Sequence, residues 1–164
     1  GAGGGSPAQS PPSLGAEAAT MRKAEALAAS ARERVFDRAE VPPQPRTTYD
    51  FEKSVASLRK TQALLAAYLR SIDVKALVKV FKRPLEADTI AAVAAGLAHE
   101  MSLDAPDASA AVVLLKGLAK APKIKMTTMM LAREDADAMR AVLESLKAAG
   151  KPKAATELKG KLGL

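Results

Sequence analysis

The amino-acid sequence predicts an all-α fold, a compact bundle or short superhelix of about seven short helices preceded by a disordered tail. Two observations support this class. Alanine, leucine, lysine and glutamate recur throughout while aromatic residues make up 3% of the chain, a composition that favours helix over strand. After residue 46, apolar residues recur at i, i+3, i+4 and i+7, and no stretch alternates apolar with polar residues as a half-buried strand does.

Residues 1–45 are predicted to form a tail and linker. Residues 1–15 contain Gly, Ser, Pro and Gln with almost no large apolar side chain, so they cannot bury enough surface to offset the entropy of ordering. Residues 16–40 hold strong helix formers but few large apolar residues, which predicts a transient helix. Residues 41–45 then read as a stiff proline-rich linker, and the glycine-rich start suggests a fragment of a longer protein.

Residues 46–164 are predicted to form one helical protein-binding domain. Thr47 or Thr48 is positioned to cap its first helix, and Pro152 is expected to open a last turn or two. Side chains of this kind contribute roughly 1.5–3 kcal/mol each when fully buried, enough to hold one small domain together. The apolar stripes, in chain order, are Phe51, Val55 and Leu58; Leu64, Leu65, Tyr68, Leu69 and Ile72; Val74, Leu77, Val78 and Phe81; Ile90, Val93, Ala94, Leu97 and Met101; Ala111, Leu114, Leu115 and Leu118; a short element from Met126 to Leu131; Met139, Val142, Leu143 and Leu146; and finally Leu158 and Leu162.

Residues for catalysis or for binding a metal or cofactor are sparse. Cysteine is absent, and His99, the only histidine, is interpreted as a surface or half-buried polar residue. No phosphate-binding glycine motif occurs, and Glu134, Asp135 and Asp137 are explained by the dipole of the helix that they open. The most apolar run, residues 89–98, is far shorter than the ~20 residues of a membrane-spanning helix. We therefore expect a protein that is not an enzyme and has no cofactor.

The net charge of +7 is concentrated near the C-terminal end of the sequence, since residues 116–164 hold eleven basic and five acidic side chains. A solvated charged face, an acidic protein partner or a phosphate backbone would each fit this charge. No aromatic residue follows Phe81, so base stacking is not available there, and an acidic protein is favoured over nucleic acid.

The segment 123–131 is the most unusual local feature, because three methionines occur within five residues beside basic side chains. They could fill the core, but so short a helix cannot direct all of them inward. The alternative is an adaptable methionine anchor with a basic rim at a protein interface. The residues expected to contact the partner are Lys123, Lys125, Met126, Thr127, Met130 and Arg133.

Residues 48–52, 84–90 and 123–126 resemble the C-terminal domain of the RNA polymerase II-associated protein 3 family over about residues 46–150, and the middle segment is most similar to sperm-associated antigen 1. The resemblance implies a domain that binds the ATPase face of a hexameric RuvB-like AAA+ ATPase. Full-length members recruit heat-shock chaperones through tetratricopeptide repeats, parts that lie outside this fragment. It also implies an assembly factor whose clients include axonemal dynein arms. The expected location is the cytoplasm, with association with the cilium as the alternative.

The resemblance also implies roles for individual residues. An Arg-Phe-x-Met motif contacts the ATPase in the family, and here Lys123, Ile124 and Met126 occupy its conserved positions. Met126 is kept, Lys123 lacks the bidentate fork of arginine, and Ile124 is expected to point inward. Two other functions stay open at this point, a structural axonemal or dynein-arm docking module and, more weakly, non-specific binding of nucleic acid.

Overall fold

In the computed structural model, which describes residues 41–164, the apolar stripes form helices and the described residues contain no strand. The predicted all-α class is confirmed. The predicted disordered tail and the transient helix over 16–40 lie outside the described residues. The eight helices of the described range are α1 (Thr48–Leu58), α2 (Gln62–Ser71), α3 (Val74–Val80), α4 (Ala87–Met101), α5 (Ala108–Leu118), α6 (Ile124–Met129), α7 (Arg133–Ala148) and α8 (Pro152–Leu162).

The start of α1 shows which of two adjacent threonines is the cap. The Thr47 hydroxyl accepts a hydrogen bond from the Asp50 N–H at 3.1 Å, and the Asp50 carboxylate accepts one from the Arg46 N–H at 3.1 Å. The first bond satisfies a backbone donor that the helix start leaves open, and the second fixes the residue before the cap. The Thr48 hydroxyl is buried and donates to the Val80 carbonyl at 2.6 Å, so it ties α1 to the end of α3.

Helix α4 is the centre of the core, and it packs against α1, α2, α6 and α7. Its contact with α2 is unusually close because Gly96 has no side chain. A Cβ atom at Gly96 would lie 2.9 Å from Leu65 Cγ and 2.9 Å from Leu69 Cδ1, closer than packed carbon atoms approach. The small residue therefore sets the distance between these two helices.

Carboxylates from other elements hold the N-terminal end of α4. The Glu52 side chain accepts hydrogen bonds from the Glu86 N–H and from the Thr89 hydroxyl, both at 2.9 Å. At the other end of α4, the carboxylate of Glu100 is buried, where it pairs with Arg70 of α2 and accepts from the Asp107 N–H at 2.9 Å. The two acids thus connect α4 to α1, to α2 and to the loop before α5.

Three aromatic residues cluster between α1, α2 and the end of α3. Phe51 stacks on Tyr68 with 6.3 Å between ring centroids, and it meets Phe81 edge-on at 5.6 Å. Burial raises the pKa of the Tyr68 phenol above its ordinary value, while the Ser54 hydroxyl lowers this pKa by a smaller amount.

Helix α3 differs from its predicted stripe. Leu77 and Phe81 are buried as expected, but Val74 and Val78 are 64% and 68% exposed, and Val80 is buried instead. The reason is tertiary. This seven-residue helix packs mainly on α1 and α5, which cover one side of it and leave the side that carries the two valines in solvent.

Helix α8 is longer than the expected turn or two, with eleven residues from Pro152. Ala155 is buried with Leu158 and Leu162, which completes an i, i+3, i+7 stripe against α5 and α7. Gly163 ends the helix at φ 72°, and the Leu164 N–H returns to the Lys159 carbonyl at 3.0 Å.

Candidate protein-docking surface

Helix α6 is held by one side and exposes the other. Ile124 and Thr128, one turn apart, are its buried residues, and the expectation that Ile124 points inward is confirmed. Successive side chains are about 100° apart around a helix, so positions 126, 129 and 130 fall on the side opposite this anchor. The methionine patch, defined as Met126, Met129 and Met130, is accordingly 61%, 80% and 71% exposed, respectively.

The residue before α6 has an unusual backbone conformation. Lys123 lies in the left-handed region, with φ 58° and ψ 24°, and no other non-glycine residue of the range 41–164 has a positive φ. This conformation costs an L-residue roughly 1–2 kcal/mol. The Lys123 carbonyl accepts hydrogen bonds from the Thr127 N–H at 3.0 Å and from the Thr127 hydroxyl at 3.1 Å, which fix the strained residue to the helix.

The end of α8 supports α6 from the side. A Cβ atom at Gly163 would lie 3.3 Å from the Lys125 Cγ, so the backbone of Gly163 rests against the aliphatic stem of Lys125. Leu164 packs partly on the core beside it. A side chain at position 163 would crowd this contact as well as strain the left-handed turn.

An open groove adjoins the methionine patch where α6 meets the start of α7. Met129 and Arg133 line it together with an ion pair between Arg140 and Asp137, whose atoms are 2.8 Å apart. Thr128 also lines this groove, but its hydroxyl is buried and has no hydrogen-bond partner among the described residues. Arg133 therefore flanks the patch on the side of α7.

The structure brings the predicted contact residues together on α6 and its two flanks. Five are exposed. Thr127 is half-buried, and its hydroxyl donates a hydrogen bond to the Lys123 carbonyl. Met129 was missed, although it is the most exposed of the three methionines. The spacing of Ile124 and Thr128 was the available signal, since an anchor at those positions turns 126, 129 and 130 outward together. Contact with a partner by these residues stays a prediction: Lys123, Lys125, Met126, Thr127, Met130 and Arg133.

The basic residues of this surface differ from those on other helices in their pairing. Lys123, Lys125 and Arg133 form no ion pair within the described residues. On the outer faces of α7 and α8, by contrast, Lys147 pairs with Glu144 at 3.1 Å and Lys161 approaches Glu157 at 3.8 Å. The methionine patch is therefore bordered by positive charge that remains available to another molecule.

Residues 41–164 contain neither a group of side chains that could bind a metal ion nor a helix that could span a membrane. Among residues 41–164, no three His, Cys, Asp or Glu side chains are grouped so that they could hold a metal ion. Glu134 and Asp135 lie in the first turn of α7, as the helix dipole favours, and His99 is half-buried in the last turn of α4. None of the helices α1 to α8 is both long enough and apolar enough to cross a bilayer.

An all-helical bundle with an exposed, lysine-flanked methionine patch belongs to the class of protein-interaction domains. A family model described as the potential Monad-binding region of RPAP3 matches residues 44–136, more than half of the chain. The chain belongs to this family, the RPAP3 C-terminal domains, and the resemblance to RNA polymerase II-associated protein 3 is thereby confirmed. The methionine patch lies inside the matched residues, while the closer kinship to sperm-associated antigen 1 stays a prediction.

The fold is similar to that of a solved structure. The NMR structure of the C-terminal domain of the human RPAP3 protein aligns with a TM-score of 0.66 at 22% sequence identity. The alignment covers 76% of this chain and 92% of that chain. A comparison with curated proteins gives no match.

Proposed function

We propose that this domain is a protein-docking module that binds its partner through the methionine patch and the basic residues beside it. The observation that carries the proposal is the exposure of Met126, Met129 and Met130 at 61%, 80% and 71% on one side of a six-residue helix. Exposed apolar groups that lie together, with polar residues around them, are typical of protein interfaces.

The chemistry of the surface defines the partner that it fits. Methionine is flexible and polarizable, so three such side chains can adapt to an apolar depression on another protein. Lys123, Lys125 and Arg133 then require carboxylates at the rim of that depression. Since a lysine carries a compact charge without the planar fork of arginine, we expect the ion pairs to guide association and the methionines to supply most of the affinity.

The partner that we propose is a RuvB-like AAA+ ATPase, bound by an adaptor of a chaperone-linked assembly factor. Membership of the family described as the potential Monad-binding region of RPAP3 supports a binding role for this domain. In this proposal the protein acts in the cytoplasm together with heat-shock chaperones. Its clients are multisubunit complexes such as axonemal dynein arms.

The affinity of the full chain for a purified, hexameric RuvB-like ATPase tests the proposal. Truncation of both Met126 and Met130 to alanine is expected to weaken binding at least ~10-fold, because hot-spot residues each contribute about 2 kcal/mol or more. The control is Glu144→Ala with Lys147→Ala, which truncates both side chains of an exposed ion pair on α7. Isothermal titration calorimetry measures all three proteins, and circular dichroism verifies their folding.

Two outcomes would overturn the proposal. One is equal affinity of the wild type and the methionine variant, since the patch would then lie outside the interface. The other is an equal loss in the methionine variant and in the α7 control, which would mean that the loss of affinity is not specific to the methionine patch. A further variant, Lys123→Ala with Lys125→Ala, separates charge from apolar contact. It is expected to slow association more than it speeds dissociation.

A further inference from the structure

The large apolar residues exposed on the described part of the chain fall into two sets. Seven such residues are exposed, and three of them form the methionine patch. The other four are Tyr49 on α1, Val74 and Val78 on α3, and Val113 on α5. Helix α3 packs against both α1 and α5, whereas α6 packs on α4 and α8, so the second set lies on its own group of helices.

Close packing fixes the three helices of the second set to one another. A Cβ atom at Gly117 of α5 would lie 3.0 Å from the ring of Phe81, so the backbone of α5 touches the end of α3. On the other side, the Thr48 hydroxyl donates to the Val80 carbonyl at 2.6 Å, which holds the backbone of the neighbouring Tyr49 near the same end of α3. The exposed apolar residues thus stand on a rigid support.

The second set also carries uncompensated positive charge. Val74 and Val78 are one helical turn apart, and Lys75 and Lys79 follow them at the same spacing on the adjoining side of α3. Both lysines are exposed, and neither forms an ion pair within residues 41–164. We define the four exposed residues Val74, Lys75, Val78 and Lys79 as the α3 face.

We propose that the α3 face is a second docking surface, and that its occupant is an acidic amphipathic segment of a partner protein. Two exposed valines one turn apart match an occupant with apolar residues at a similar interval. The unpaired lysines beside them match aspartate or glutamate on its flanks. A phosphate backbone would satisfy the lysines but leave the valines against a polar surface, so a protein segment fits better than nucleic acid.

The second surface gives the domain two independent attachment points. The methionine patch and the α3 face stand on different helices, so two partners can bind at once if both surfaces are used. The bridging role rests on the proposed function of the methionine patch, whereas the docking role of the α3 face does not. The two proposals therefore fail separately.

Selection from a random peptide library displayed on phage identifies what the α3 face binds. The full chain serves as bait, and counter-selection against the Val74→Ser, Val78→Ser variant removes peptides that bind elsewhere. The expected consensus has large apolar residues at one-turn spacing between acidic residues. A selection that yields no peptide dependent on the two valines, or a neutral or basic consensus, would overturn the proposal.

Fluorescence anisotropy with the selected peptide then tests the charges and the separation of the two surfaces. Lys75→Glu with Lys79→Glu is expected to weaken binding at least ~10-fold, while Met126→Ala with Met130→Ala leaves it unchanged. Equal binding by the lysine variant contradicts the proposal, as does loss of binding in the methionine variant. A single-stranded oligonucleotide is the second probe. Tighter binding of that probe, with a steep dependence on salt, would assign the face to nucleic acid instead.

Discussion

Helix α4 and helix α6 show how differently two helices of one small domain can use apolar residues. Helix α4 packs against four neighbours and buries residues on most of its sides, including the carboxylate of Glu100. Helix α6 buries only Ile124 and Thr128 and leaves three methionines in solvent. The number of packed neighbours, more than hydrophobicity, decides which apolar residues become core. Substitutions around α4 should therefore affect folding, and those on α6 should mainly affect binding.

Removal of the Glu100 carboxylate should have the largest effect on stability. Glu100→Ala takes the paired carboxylate from Arg70 and the acceptor from the Asp107 N–H. We expect the free energy of unfolding to fall by about 2–3 kcal/mol, below the ~3–5 kcal/mol typical of a fully buried pair. The expected loss is smaller because the Arg70 side chain is 28% exposed, so solvent screens the pair. Urea denaturation followed by circular dichroism measures the change.

The control for Glu100 is an ion pair on the surface. Asp137→Ala removes the carboxylate partner of Arg140, and both of these side chains are largely exposed. We expect a loss of no more than about 1 kcal/mol. A Glu100→Ala variant as stable as this control would show that the buried carboxylate does not connect α4 to its neighbours.

A methyl group at Gly96 should have the next largest effect. Gly96→Ala drives a Cβ atom into Leu65 and Leu69, and overpacking of this kind costs about 1–3 kcal/mol, partly offset by the better helix propensity of alanine. A net loss of about 1–2 kcal/mol is expected in the free energy of unfolding. Gly160→Ala is the matched control, because the new methyl group there would meet no atom from another part of the protein within 4 Å. That variant should gain about 0.5–1 kcal/mol, and a gain at both glycines would contradict close packing of α2 on α4.

Replacement of the strained Lys123, next to α6, should have a smaller effect on the free energy of unfolding, and this effect should be stabilising. Lys123→Gly should raise the free energy of unfolding by about 0.5–1 kcal/mol, since glycine adopts a positive φ without strain. Lys123→Ala keeps the Cβ atom and should give no such gain, although both variants lose the ammonium group. Thermal unfolding compares them. Equal stability of the two variants would mean that the left-handed conformation carries no strain.

Titration of Tyr68 should have the smallest effect, visible only in alkali. Burial raises the pKa of this phenol in the folded protein, so folding favours the neutral form. The resulting stability is complete below the unfolded pKa of about 10 and is lost as the pH rises through the folded value. Denaturation from pH 8 to 11 should therefore show a steeper decline for the wild type than for Tyr68→Phe, in which the other titrating groups are unchanged. Parallel curves would contradict this.

Periodicity was enough to predict the helices that are covered along one whole face. The predicted stripe of α7 is buried, and so is that of α4 except for the partly buried Met101, because each long helix meets several neighbours. The same rule misassigned Val74 and Val78, since a pattern shows which side is apolar but not whether another helix covers it. The buried residue Ala155 was likewise overlooked in α8, where a small side chain gives a weak apolar signal.

Other features depend on contacts that are distant in sequence or on the path of the backbone. Glu100 reads as a surface residue until folding places Arg70 beside it, thirty positions away in the chain. The positive φ of Lys123 could not be predicted, because this position holds neither glycine nor asparagine, the residues that usually adopt it. The exposure of Met129 followed from the anchor positions of α6, and it became evident only when Ile124 and Thr128 were seen to share one buried side.

The exposed thioethers of α6 also give the domain its own chemical reporter. Dilute hydrogen peroxide converts accessible methionine to the sulfoxide and is itself reduced to water, whereas a buried thioether such as that of Met139, 1% exposed, reacts slowly. Mass spectrometry of the digested protein can therefore follow the occupancy of α6 without any label. Sulfurs covered by a bound partner gain oxygen more slowly than the same sulfurs in the free chain, and Met139 serves as the internal reference.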